Sequence, residues 1–162
     1  MPKKYWLFKS EPESFSIDDL ARSQSQTTSW QGVRNYQSRN LLRDQVQIGD
    51  EVFFHHSSTV LLGIAGTCVV VRAGCPDESA FDRESDYFDV KSVRETPRWY
   101  TVGVKLIEKF PDIIPLSMLK ETPGLEKMMV CKRGARLSIQ PVTADEWTVV
   151  TNLAAQLFGK RR

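Results

Sequence analysis

The stretch Lys9-Ser10-Glu11-Pro12 sets an ammonium, a hydroxyl and a carboxylate in consecutive positions where the backbone has to turn. Pro12 has no amide hydrogen and drives Glu11 towards extended geometry, so a preceding strand ends here. Ser10 can donate and accept a hydrogen bond, and Glu11 offers a pair of acceptors. Strand ends are common places for binding groups; the competing reading is a capped turn with a surface carboxylate. A second stretch, Trp30-Gln31-Gly32-Val33-Arg34-Asn35-Tyr36, puts an isolated indole beside a glycine. An indole face stacks on a nucleobase for about 1–3 kcal/mol. Gly32 lets a ligand approach the backbone closely, and Asn35 presents a donor and an acceptor to a base edge. The alternative is that Trp30 plugs the end of a sheet.

Two groups of cations accompany these stretches: Arg34, Arg39 and Arg43, and then Lys132, Arg133 and Arg136. Either group suits phosphate oxygens, although such runs are commonly just solvated faces. His55 and His56 are the only histidines. Neighbouring strand residues point to opposite faces, so the two do not chelate one metal, and one is expected in the core with the other facing a cavity or solvent. A Ser57–His56 pair has no third orienting group in the sequence. The chain has no P-loop, dinucleotide fingerprint, zinc-protease motif or nucleophile elbow. No catalytic set, metal or cofactor is therefore assigned.

Composition narrows the class. Hydrophobic residues make up 41% of the 162 and charged residues 26%, normal for one soluble globular domain. The net charge is only +2, so affinity for nucleic acid must come from local clusters. Cys68, Cys75 and Cys131 show no zinc or redox spacing. An odd, unpatterned set favours a reducing compartment. The N-terminal residues carry no long apolar run, so neither a signal peptide nor a membrane anchor is expected. A cytoplasmic monomer, nuclear in a eukaryote, is the expectation, with no membrane partner.

These residues need elements to position them. Tyr5–Lys9, Glu51–His56, Leu61–Val71, Trp99–Phe110 and Arg136–Gln140 read as strands, with Gly63 and Gly66 marking bulges. Ser16 with Asp19 and Thr143 with Glu146 are capping boxes, the first opening a brief helix and the second a terminal one. Arg34–Asp44 reads as a helix, and one or two short helices are expected around Leu116, Leu119 and Leu125. Ser23–Ser29 and Arg72–Pro97 read as loops, the second long enough to suggest function. Strands interleaved irregularly with short helices give an α+β class built on a curved sheet or small barrel.

In chain order these blocks resemble the EVE domain family. The resemblance runs through Tyr5–Pro12, Trp30–Asn40, Gly49–Ser57, Gly63–Gly66, Pro76-Asp77, Phe81-Asp82, Tyr87–Ser92, Pro97–Trp99, Arg136–Val142 and Glu146-Trp147. It implies a PUA-like pseudo-barrel of mixed strands flanked by short helices, as one domain over residues 1–162 with a basic tail at 159–162. The family is similar to the YTH domain, a reader of methylated adenine in RNA. On that likeness Lys9 and Ser10 match the pair ending the first strand, and Trp30 matches the first wall of an aromatic cage. Asn35 matches a polar lining residue, and Phe81 or Tyr87 would supply the second wall. Cys75-Pro76 departs from the family, which often has a tyrosine before that proline.

The function expected is binding of DNA or RNA carrying a modified base, such as a modified cytosine. An extruded base would meet Lys9, Ser10, Glu11, Trp30, Val33, Asn35, His56 and Ser57, with Phe81 or Tyr87. Arg34, Arg39, Lys132, Arg133 and Arg136 would hold phosphates. The alternative is a small amidohydrolase on modified nucleosides, as in the related ASCH group, with Lys9 and Glu11 or Glu51 as a proton-transfer pair.

Overall fold

The computed structural model describes residues 3–134 and 136–159. In chain order the elements are β1 (Tyr5–Ser10), α1 (Ile17–Arg22), β2 (Thr27–Ser29), α2 (Tyr36–Asp44), β3 (Glu51–His56), β4 (Gly63–Pro76), β5 (Tyr100–Pro115), α3 (Leu116–Glu121), β6 (Ile139–Val142) and α4 (Ala144–Phe158). Short 3-10 turns occupy Gln24–Gln26, Glu78–Phe81 and Met129–Cys131. The strands form one mixed sheet in the order β2-β5-β4-β3-β1-β6, with β1 and β3 parallel and the other pairs antiparallel. The architecture is α+β, as the sequence indicates.

Side-chain alternation explains why β1 and β3 are apolar almost throughout. Trp6, Phe8, Val52 and Phe54 point into one core cluster, with Leu42 of α2 and Leu20 of α1. Leu7 and Phe53 point into a second, with Val150 of α4 and Leu119 of α3. Both faces of the central strands are therefore covered, which removes the usual polar alternation. Each fully buried aromatic or aliphatic side chain here contributes about 1.5–3 kcal/mol. Trp147 of α4 stacks on Phe53 at 3.9 Å between ring centroids and on Tyr5 at 4.8 Å.

Both capping boxes form as the sequence indicates, each with its reciprocal pair of hydrogen bonds. The long strands differ from expectation. β4 runs on to Pro76 and β5 to Pro115, and their pairing shifts register four times. Those irregularities let strands with polar or proline-containing ends stay paired while the sheet bends. β2 forms in a stretch expected as loop, because its backbone adds to the edge of β5. The strand expected at Arg136–Gln140 is instead Ile139–Val142. Lys160, Arg161 and Arg162 of the expected basic tail lie outside the described residues.

Candidate nucleic-acid interface

A cavity of about 350 Å³ opens where β1 ends. Lys9, Ser10 and Glu11 form one side, and Trp30, Val33 and Arg34, from the segment after β2, form another. Tyr87, from the loop between β4 and β5, closes it. β2 pairs with β5, and the Trp30 amide continues that pairing by donating to the Val102 carbonyl at 2.8 Å. This fixes the indole over the sheet. Its ring lies 5.3 Å from Phe8 and meets Phe54 edge-on at 5.2 Å. Both sequence readings thus meet in one residue. Trp30, 6% exposed, plugs the core, and its remaining surface lines the cavity. Tyr87, 37% exposed, is the more open aromatic.

Asp77 organises this wall and is not among the site residues expected from the sequence. Its carboxylate is fully buried and accepts from the Gly32 amide and from Arg34 Nη1, both at 3.0 Å. It also accepts from the Ser79 amide at 2.9 Å and from the Ser79 hydroxyl. Arg34 Nη2 donates to the Tyr87 carbonyl. One buried carboxylate therefore ties the Trp30–Arg34 segment to the loop that carries Tyr87. The local signal was an Asp two residues before Ser79, an Asx-type cap; its partners at 32 and 34 carry no local signature. Gly32 sits at φ +84°, and a Cβ there would meet the Tyr87 ring at 2.5 Å. Glycine is thus what lets the tyrosine lie over this turn.

Several expected site residues are employed elsewhere. Asn35 is the N-cap of α2, its side-chain oxygen accepting from the Ser38 amide at 3.0 Å, and it does not line the cavity. Arg34 is held by Asp77 and Tyr87 rather than offered to phosphate. Arg39 donates to Asn40 Oδ1 and the Arg98 carbonyl and lies over the Tyr36 ring. Phe81 is covered by Arg94, 4.7 Å from its ring centre, and leaves the second wall to Tyr87. His56 Nε2 accepts from the Ile17 amide at 3.1 Å, tying α1 to the sheet. Ser57 pairs with His55, not His56, at 3.0 Å from Nδ1. Neither His56 nor Ser57 lines the aromatic cavity. The Ser10 hydroxyl donates to the Phe15 carbonyl at 2.6 Å, so towards a ligand it can act only as an acceptor.

A second cavity, of about 580 Å³, lies on the other side of the β1 end and shares Lys9, Ser10, Glu11 and Ser138 with the first. Lys132, Arg133 and Arg136 line this one, together with Ser57 and His55. Burial pushes the Lys9 ammonium below its ordinary pKa. Burial, then the charge of Lys9 and of His56, lowers His55 to about 3, so its ring is neutral at physiological pH. Burial also lowers His56, opposed by Asp18. Among the described residues no group of three or more His, Cys, Asp or Glu side chains could hold a metal, and no helix is long and apolar enough to cross a membrane.

Residues 4–153 match the model of the EVE domain family. The chain belongs to that family. This EVE domain is 41% identical to human thymocyte nuclear protein 1, over 92% of this chain and 73% of that one. It is 34% identical to the uncharacterised C21.03c of Schizosaccharomyces pombe, over 95% and 70%. Among solved structures, the human THYN1 protein in complex with 5-methylcytosine-containing DNA superposes with a TM-score of 0.87 at 38% identity, covering 94% of this chain and 98% of that one. A hypothetical protein from Leishmania major gives 0.91 at 41%, covering 96% and 97%. An ASCH protein from Zymomonas mobilis, at 0.52 and 11% identity, covering 93% and 99%, shares the PUA-like fold alone.

Proposed function

We propose that this EVE domain binds DNA by holding one extruded, modified cytosine in the aromatic cavity, without turning it over. The observation that carries this reading is the composition of the cavity: Trp30 and Tyr87 beside the acceptor-only hydroxyl of Ser10. The volume of about 350 Å³ sits near the lower end of small-ligand sites, roughly 300–1,000 Å³, which suits a single base. The DNA complex of the 38%-identical human relative supports the same choice of partner.

The chemistry follows from the donors and acceptors. Cytosine carries an exocyclic amine where thymine carries a carbonyl oxygen. The Ser10 hydroxyl, its proton committed to Phe15, accepts from that amine; thymine would face it acceptor to acceptor. Such an unpaired buried group costs about 1–3 kcal/mol. A methyl at the base's 5-position gains about 0.8 kcal/mol if fully buried against Val33 and Phe15, which predicts roughly a fourfold preference over plain cytosine. Lys132, Arg133 and Arg136 face the flanking phosphates from the neighbouring cavity.

The test is a fluorescence-anisotropy titration of oligonucleotides differing only in one cytosine, 5-methylcytosine or thymine. Wild type is expected to rank them methylcytosine, cytosine, thymine. Tyr87→Ala should lose roughly tenfold in affinity for the methylated strand, about one stacked base, and keep its melting temperature. No ranking in the wild type, or the same affinity after Tyr87→Ala, would refute the assignment. Release of ammonia or an acyl group from modified nucleosides would replace the binding role with a hydrolytic one.

A further inference from the structure

The cavity beside the aromatic one is the larger, about 580 Å³ against about 350 Å³. That is room for a small organic ligand rather than a bare ion. Lys120 of α3 joins Lys132, Arg133 and Arg136 in lining it, and Glu11 is the single acidic residue among its described lining residues. Those four cations make no ion pair or side-chain hydrogen bond among the described residues. Arg34, Arg39 and Arg43 by contrast each hold a protein oxygen. Unpaired cations around one concavity raise its potential and favour an anion.

His55 is an independent sign. It lines this cavity at 2% exposure, with Nδ1 on Ser57, while its Nε2 is buried without a partner. Buried polar atoms are rarely left so, and those that are point to a missing partner. Leu62 and Leu116 add apolar surface on which a sugar or base can rest. Lys9, Ser10, Glu11 and Ser138 line both cavities, which therefore adjoin at the end of β1. A strand with one base in the aromatic cavity would bring its next phosphate to these shared residues.

The geometry points to a second nucleotide subsite: the cationic cavity seats the sugar, phosphate and base of the nucleotide adjoining the extruded one, so the unit recognised is a dinucleotide. This rests on the reading of the aromatic cavity as a base site. The adjoining phosphate is a diester within a strand. The same cations would also meet a phosphomonoester at a strand end, and the test separates the two.

Calorimetry with 5-methyl-2′-deoxycytidine, its 5′- and 3′-monophosphates, and the dinucleotides extended by thymidine on either side decides it. One of the two dinucleotides is expected to bind roughly tenfold tighter than the matching monophosphate, the contribution of one further seated nucleotide. Lys120→Ala, at an exposed helix position, should remove most of that gain and leave nucleoside affinity unchanged, with Lys120→Arg restoring it. Dinucleotides no tighter than the monophosphates would reduce the cavity to a phosphate contact and overturn the inference. Equal weakening of nucleoside and dinucleotide by Lys120→Ala would overturn it too. A nucleoside that does not bind overturns the base-site reading itself, whereas one that binds without a dinucleotide gain overturns only the second subsite.

Discussion

Replacing Asp77 by alanine should uncouple the two walls of the aromatic cavity. The carboxylate is fully buried and holds Gly32, Arg34 and Ser79 at once. Its removal leaves the Gly32 and Ser79 amides without their acceptor, at about 1–3 kcal/mol for the buried Ser79 donor and less for the half-buried Gly32 amide. Breaking a fully buried ion pair costs about 3–5 kcal/mol. The Arg34 side chain, however, is 26% exposed and partly rehydrates, so the pair contributes less than that. A net loss of about 3 kcal/mol is expected, which lowers the melting temperature of a domain this size by roughly 6–12 °C. Asp77→Asn keeps one acceptor oxygen and should fall between. The measurement is thermal unfolding followed by circular dichroism, paired with the anisotropy titration. Binding should weaken in step, because Arg34 no longer positions Tyr87. An alanine variant melting within about 2 °C of wild type would show that the carboxylate does not hold the wall. A destabilised variant with unchanged affinity would show that the wall's position is irrelevant to the site.

Other consequences are equally direct. Gly32→Ala forces a side chain into left-handed backbone, costing about 1–2 kcal/mol, and drives its Cβ into the Tyr87 ring. Base affinity should fall, and adding Tyr87→Ala should recover part of the stability but none of the affinity; unrecovered stability would refute the clash, and recovered affinity would refute Tyr87 as a wall. His55 stays neutral in the fold down to about pH 3, against 6.5 when unfolded. Between those values the unfolded chain binds more protons, so stability falls as pH drops, by up to about 1.4 kcal/mol per unit for one such group. Burial of His56 acts in the same direction. Urea unfolding at pH 7, 6 and 5 should show the fall, and His55→Gln should flatten it; a slope unchanged in that variant would assign the effect elsewhere. Cys68 is buried, and its thiol is pushed well above the ordinary range by that burial, while Cys75 and Cys131 are partly exposed. A thiol reagent should therefore modify Cys68 only after denaturation, which mass mapping of the labelled peptides would check.

What was legible in the sequence is what short-range chemistry specifies. The apolar runs at Tyr5–Lys9 and Glu51–His56 mark strands, and Ser16/Asp19 and Thr143/Glu146 mark helix starts. The turn at Pro12 places Lys9, Ser10 and Glu11 at a strand end. Each of these depends on residues within a few positions of one another, so the chain states them locally. Trp30 was legible as an odd indole, but not as core plug and cavity wall together, since that depends on Phe8, Phe54 and Val102 arriving from three other strands. Asn35 looked like a base reader because a carboxamide suits a base edge and a helix cap equally well; the observed start of α2 at Tyr36 decides for the cap. The choice of Tyr87 over Phe81, and the diversion of Arg34 from phosphate, both trace to Asp77, more than forty residues from Gly32 and Arg34. Nothing local distinguishes a carboxylate that will meet a distant guanidinium from one that will stay in water. The sequence by itself therefore determined the family and those elements that local pattern specifies, while β2 and the ends of β4, β5 and β6 were set by pairing across the sheet. Only the tertiary structure decided which polar groups are already spent on one another and which remain for a ligand, because that accounting is made across the sheet and not along the chain.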